Sequence, residues 1–159
     1  VSRVSSRPAL RGAVFLVLGE GGHEAHEGEA TIRFVPFQGD RQVVARYFQA
    51  ADVYLHAAIA DTYPGSVAEA LACGTPVIGT DTGGIPELVT HGSTGFLVPR
   101  GDSAGMAERV EQLLTDDSLR EKMAARAAER AQREFGLDRQ VEAYLSWYSE
   151  VCDQWSTGT

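Results

Sequence analysis

Basic residues are scarce in this chain. Its 159 residues hold 14 Lys and Arg against 22 Asp and Glu, for a formal net charge of −8 and a pI near 4.9. A duplex-binding protein or one that adheres to anionic lipid needs a basic surface, so this balance argues against general nucleic-acid or membrane-surface binding. Cysteine is also rare. The two present, Cys73 and Cys152, lie far apart and make no disulfide framework. Cys73 reads as a small buried side chain on a helix that faces a sheet. No apolar run is long enough to span a bilayer, no signal peptide is recognised and no segment repeats, which together point to a soluble cytoplasmic chain without direct membrane insertion. With 43% hydrophobic residues, a chain of this length can bury one core of ordinary size.

What is present concentrates between Asp61 and Val89, DTYPGSVAEALACGTPVIGTDTGGIPELV. Upstream of it, Ala51 to Ala57 (ADVYLHA) is a short apolar run suited to a buried parallel strand. Asp61, Thr62, Pro64 and Gly65 supply turn chemistry, Ser66 is a candidate N-cap, and VAEALAC carries the Ala, Leu and Glu of a helix that Gly74 stops. Thr75 to Thr80 reads as a second buried strand, after which Gly83, Gly84 and Pro86 break the chain before the short run Glu87 to Thr90. Strand, helix and strand in this order form a right-handed crossover, whose ligand crevice lies at the carboxyl ends of the strands.

A helix start at the mouth of such a crevice presents unpaired N–H groups and partial positive charge, which suits a diphosphate. Gly65, Ser66 and Val67 are the phosphate-contact candidates. Asp61 precedes that start and Glu69 lies about one turn inside it, so both carboxylates can border one crevice and accept from sugar hydroxyls. The alternative is that both acids serve only as capping groups for the helix dipole. His56 follows a strand end that borders the crevice; it is either a sugar or phosphate ligand or a satisfied turn histidine. His23 and His26, with Glu24 and Glu27, invite a metal reading. A Gly-flanked acidic loop, however, lacks the firm helix with His at i and i+4 that a zinc site of the H-E-x-x-H kind requires, and metal is not expected.

Asp61-x7-Glu69, then EALACGTPVIGTDTGGIPELV, then HGSTGFLVPRGD, resemble in order and spacing the donor-binding C-terminal domain of the retaining GT-B glycosyltransferases of group 1 (family 4). The similarity runs from about Ala13 to about Glu150. The resemblance implies an α/β fold in which a Rossmann-like parallel sheet is flanked by helices, the C-terminal half of a GT-B fold. It also implies transfer of a sugar from a UDP-, GDP- or ADP-linked donor with retained anomeric configuration. By that resemblance Glu69 holds the ribose hydroxyls, and Asp61, one methylene shorter than the family's Glu, lies near the donor sugar. Gly65, Ser66 and Val67 start the helix over the β-phosphate, with Thr62 beside them. Phe37, at the end of the strand Thr31 to Pro36, faces its backbone to the base, and Gly19 belongs to a GxG turn after the strand Ala13 to Leu18. Oriented N–H groups can stabilise the departing diphosphate, so no cofactor or metal is required.

The family's Arg- and Lys-bearing segment, with the domain's first strand and helix, has no counterpart here. Residues 1–12 read as a flexible arm or linker in which Arg3, Arg7 and Arg11 do not match the motif, 13–150 as the nucleotide-sugar-binding domain and 151–159 as a C-terminal tail. A missing central strand leaves exposed edges, which invite self-association, and implies an N-terminal acceptor domain or partner chain. Two other functions compete: a non-catalytic module that binds a nucleotide or sugar, and a GT-B UDP-sugar epimerase. Downstream, His91 to Arg100 reads as a turn and the strand Gly95 to Val98. Three helices follow: one capped by Asp102 or Ser103 and running to Leu114, one from Asp117 to about Phe135, and one from Asp138. The last carries Val141, Tyr144, Leu145 and Tyr148 on one face, expected to pack onto the domain.

Overall fold

A computed structural model describes residues 1–157. Strand β1 (Val14–Leu18) pairs in parallel with β3 (Ala30–Val35), while the short β2 (Ala25–Glu27) runs antiparallel on the outer edge of β3. A second sheet has the parallel order β4 (Tyr54–His56), β5 (Val77–Thr80), β6 (Gly95–Val98). Among the described residues six strands therefore stand as two three-stranded sheets, with one edge each of β1 and β4 unpaired by a strand. In a doubly wound order the first strand of the domain would sit between those two edges. The break between the two sheets falls at the place of that strand.

Strand β5 organises the second sheet because all four of its residues are buried and successive side chains point to opposite faces. Val77 joins one core with Val67, Ala70 and Leu71 of α3 (Gly65–Ala72), Ile85 and Leu88 of α4 (Ile85–Leu88), and Ala127 and Ala131 of α6 (Asp117–Glu134). Ile78 faces the other core, with Phe96 and Val98 of β6 and Ala107, Val110 and Leu113 of α5 (Ser103–Thr115). Burial on both faces explains why β5 reads as a continuous apolar run rather than an alternating one. The helices begin on acids: the Asp102 carboxylate accepts from the Gly105 N–H at 2.8 Å and that of Asp116 from the Leu119 N–H at 2.9 Å.

Several elements differ from the sequence expectations. Residues 2–5 form a helical turn, α1 (Ser2–Ser5), followed by a 3-10 turn at Pro8–Leu10; Val4 and Leu10 are buried against α5, so this segment is packed rather than a solvated arm. The second core also draws on Phe15 of β1 and Leu55 of β4, and Val4 and Leu10 supply apolar contacts where the two sheets part. Arg7 is ion-paired with Glu111, and Arg11 with Glu29 at 3.2 Å. Residues 22–30, expected as a loop, contain β2, which turns into β3 through Gly28 at φ +60°. Val14 and Leu16 of β1 are exposed. Helix α2 (Arg41–Ala50), N-capped by Asp40, follows β3. The last helix, α7 (Leu137–Thr157), departs furthest from expectation. Its Val141, Tyr144, Leu145 and Tyr148 are exposed and do not pack onto the domain, and it continues unbroken through the residues expected as a tail as far as 157. Positions 158 and 159 lie outside the described residues. No helix among the described residues is long and apolar enough to cross a membrane.

Candidate functional site

The site is built at the carboxyl end of β4. The loop from Ala57 to Pro64 is fastened to the next crossover by hydroxyl and backbone bonds: Thr80 Oγ1 donates to the Ala58 carbonyl at 2.7 Å and the Gly84 N–H to the Asp61 carbonyl at 2.9 Å. Gly83 and Gly84 lie so close to this loop that a Cβ on either would overlap the carbonyl oxygen of Asp61 or Thr62. Gly83 also has φ +55°, a left-handed conformation that favours glycine. The Gly-Gly pair thus acts as a backbone buttress for Asp61.

Helix α3 begins differently from expectation. Pro64, not Ser66, is the N-cap, and no side chain caps the helix. The Val67 N–H is taken by the Pro64 carbonyl at 3.0 Å, so of the three expected phosphate-contact amides it is occupied internally. The N–H groups of Gly65 and Ser66 have no partner among the described residues. They carry the partial positive charge of a helix start. Ser66 is freed from capping and used elsewhere: its Oγ accepts from the Tyr54 hydroxyl at 2.9 Å.

Asp61 is half-buried. Its Oδ1 accepts from the Tyr63 N–H at 3.2 Å, and its Oδ2 lies 3.3 Å from His56 Nε2. Glu69 is exposed on α3, at the rim of a groove of about 500 Å³ between α3 and α6 whose walls include Ala68, Ala72, Ala131 and Phe135. Both carboxylates act on Tyr54. Burial raises the Tyr54 phenol above its ordinary pKa; the Ser66 hydrogen bond opposes this, and the negative charges of Glu69 and Asp61 add to the rise. Thr62 is exposed beside Asp61. Gly19, at φ +102°, and the exposed Phe37 end the neighbouring strands β1 and β3, where the Gly19 N–H donates to the Val35 carbonyl at 2.9 Å.

Sequence reasoning missed the Tyr54–Ser66 contact and the approach of His56 to Asp61. Alternation on β4 puts Tyr54 and His56 on one face, which was readable; their meeting with the next loop was not. Elsewhere, His26 is held in the β2 hairpin, 3.8 Å from Glu24, which in turn accepts from Arg33 at 2.8 Å. No group of three or more His, Cys, Asp or Glu side chains among the described residues is arranged to hold a metal ion.

Parallel strands with a helix start and a Gly-Gly buttress at their carboxyl ends make an α/β unit whose crevice opens at the strand ends. The sequence profile of the group 1 glycosyl transferases matches residues 13–130, and the chain belongs to that family. It is 38% identical over 117 residues to N-acetyl-alpha-D-glucosaminyl L-malate synthase of Bacillus anthracis, covering 74% of this chain and 31% of that protein. It is 34% identical over 120 residues to D-inositol 3-phosphate glycosyltransferase of Streptomyces bingchenggensis, covering 76% of this chain and 26% of the relative. Among solved structures, sucrose-phosphate synthase from Thermosynechococcus elongatus superposes with a TM-score of 0.72 at 28% identity, over 77% of this chain and 30% of that one. Anabaena HepE in complex with UDP superposes with a TM-score of 0.65 at 28% identity, over 72% of this chain and 32% of that one. The chain spans roughly a third or less of the curated relatives described here. These neighbours are GT-B enzymes, and the α/β class with a helix-flanked parallel sheet is the fold the sequence led us to expect.

Proposed function

We propose that this chain is the donor-binding part of a retaining glycosyltransferase that moves a sugar from a nucleoside-diphosphate sugar to an acceptor. The observation that carries the reading is the pair of free N–H groups on Gly65 and Ser66 at the start of α3, with the half-buried Asp61 in the loop before it and the exposed Glu69 within the helix. The neighbour solved with UDP supports it.

In this reading the two amides receive the β-phosphate, Glu69 takes the ribose hydroxyls, and Asp61 faces the donor sugar with Thr62 at its side. Phe37 and Gly19 border the nucleotide from the first sheet. The bond between the anomeric carbon and the β-phosphate oxygen breaks with its electron pair left on that oxygen. The acceptor oxygen bonds to the same face of the sugar, and its proton ends on the departing diphosphate. Preorganised amides stabilise the growing phosphate charge, and the Asp61 carboxylate stabilises the positive character at the anomeric carbon. The acceptor would come from an N-terminal domain or partner chain across the carboxyl ends of the strands. Consistent with a further surface there, Ile59 and Tyr63 beside Asp61 are exposed.

A non-catalytic nucleotide- or sugar-binding module is the second reading. It is favoured by the engagement of Arg7 and Arg11 with Glu111 and Glu29, which occupies both guanidinium groups with carboxylates. Calorimetric titration of the chain with UDP, GDP and ADP, and with UDP-glucose, GDP-mannose and ADP-glucose, tests donor binding. Glu69→Ala should weaken whichever nucleotide binds by about tenfold, the value of a hydrogen bond to a charged group. Unchanged affinity would reduce Glu69 to a helix-dipole residue. Glycosyl transfer by the chain joined to its acceptor half, or its absence, separates the enzyme from the module.

A further inference from the structure

The β4 strand and the start of α3 share a chain of side chains that donor binding alone does not require. Tyr54 and His56 stand on the same face of β4, two residues apart. The Tyr54 hydroxyl donates to Ser66 Oγ at 2.9 Å and lies 3.3 Å from His56 Nδ1, and the two rings are 6.0 Å apart. On the other side of the imidazole, Nε2 is buried and has no properly aligned hydrogen bond, although Asp61 Oδ2 is only 3.3 Å away. A buried ring nitrogen left in this state is costly, and a small rotation of the carboxylate would complete the bond. Hydrogen bonds in empty active sites commonly tighten only when the substrate is bound.

We propose that His56 is a positioning residue: its Nε2 holds the Asp61 carboxylate against the donor sugar, and its Nδ1, through Tyr54, ties that carboxylate to Ser66 at the phosphate end. This rests on the donor-binding reading. The proton inventory gives the coupling its content. An attractive contact with Asp61 requires a proton on Nε2. In the neutral ring Nδ1 is then an acceptor, so the Tyr54 hydroxyl turns to it and Ser66 turns its own hydroxyl to the phenol oxygen; with Nδ1 also protonated, Tyr54 keeps donating to Ser66. The proton placement at Asp61 is thereby linked to the hydroxyl orientation at the helix start. The sugar and diphosphate ends of the donor would be read by one network rather than by two independent contacts.

Two substitutions split the imidazole. Asn at position 56 retains an amide near Nδ1 and loses the reach to Asp61, whereas Gln retains a donor near Nε2 and loses the Tyr54 contact. The assay is calorimetry on the intact chain with UDP and UDP-glucose, GDP and GDP-mannose, and ADP and ADP-glucose. His56→Asn should weaken the sugar nucleotide by about tenfold, the loss of one charge-assisted hydrogen bond, and leave the bare diphosphate within about twofold. His56→Gln, which restores the contact with Asp61 but not the tie to Tyr54, should recover part of the loss and stop short of wild type, and Asp61→Asn added to His56→Asn should cost nothing further. A general packing role would lower both ligands together and would show no such non-additivity, and either result overturns the proposal. A second measurement avoids any change at position 56. The ¹⁵N resonance of His56 Nε2 should move between the wild type and Asp61→Asn, and an unmoved resonance also overturns it. If the wild type binds none of the six ligands, the donor-binding reading falls and this inference with it; if it binds and His56→Asn discriminates nothing, the inference alone falls.

Discussion

Gly84→Ala is a clean test of the buttress under Asp61, because only space is at stake. Gly84 has φ −86° and ψ 0°, a conformation open to any residue. A Cβ there would lie 2.9 Å from the Thr62 carbonyl carbon and 3.5 Å from Tyr63 Cα, and would overlap the Thr62 oxygen outright. Carbon atoms pack at about 3.5–4.0 Å, so backbone must retreat by about 1 Å. The obstruction is main chain on both sides, and no flexible side chain can yield. Overpacking of this kind costs about 1–3 kcal/mol. The retreat also draws the Gly84 N–H away from the Asp61 carbonyl, which it meets at 2.9 Å, for about 1 kcal/mol more. The sum, about 2–4 kcal/mol, corresponds to a fall in Tm of roughly 4–16 °C for a domain of this size. Gly21→Ala is the control, since nothing lies within 4 Å of a Cβ at that position, and it should stay within about 0.5 kcal/mol of wild type. Thermal unfolding followed by circular dichroism measures both. If Gly84→Ala melts with the control and binds sugar nucleotide unchanged, the close approach of the two loops is refuted.

Other outcomes follow from the core and from the titratable groups. Leu113→Ala removes a fully buried side chain from the core beneath α5 and should cost about 2–5 kcal/mol by chemical denaturation. Glu134 accepts from Arg130 at 2.8 Å and from Arg133 at 2.9 Å, and these bonds hold its carboxyl below the usual range. A depressed carboxyl stabilises the fold above its unfolded pKa of about 4.3 and loses that contribution as pH falls through the folded value. Glu134→Gln should therefore flatten the fall of Tm below about pH 4, and an unchanged slope would show that the pair contributes nothing. Burial and, secondarily, Glu69 push the Cys73 thiol above its ordinary pKa, whereas Cys152 is exposed. Iodoacetamide should alkylate Cys152 well before Cys73, as peptide mapping would show; the reverse order would contradict the packing of α3.

The parts that were legible in the sequence are those that local chemistry decides. Asp102 starts α5, and Gly74, at φ +76°, ends the turn after α3, each as its residue type dictates. The strand β5 was legible for a different reason: burial on both faces leaves no alternation in its pattern. Helix α2 went unassigned although Asp40 caps it through the Gln42 N–H at 2.8 Å, a signal present in the sequence. The cap of α3 was misplaced by two residues, since Ser66 has the right chemistry for a cap but a tertiary partner, Tyr54, claims its hydroxyl. The packing of residues 2–10 was not readable because isolated apolar residues such as Val4 and Leu10 make no period; only the gap between the sheets gives them a place. For α7 the amphipathic stripe was legible but its partner was not, and Tyr144, Tyr148 and Trp155 stand in solvent among the described residues. At the site, residue types and spacing identified Asp61, Ser66 and Glu69, while the link between them runs through Tyr54 and His56 and depends on the fold.

The central claim is that the open start of α3 receives the diphosphate of an activated sugar. Amide chemical shifts of the ¹⁵N-labelled chain, followed during titration with UDP, GDP and ADP, test it most directly. The largest changes should fall on the Gly65 and Ser66 N–H groups, with that of Val67, already bonded to the Pro64 carbonyl, moving less. Saturable shifts confined to another part of the molecule, or none with any of the three nucleotides, would contradict it.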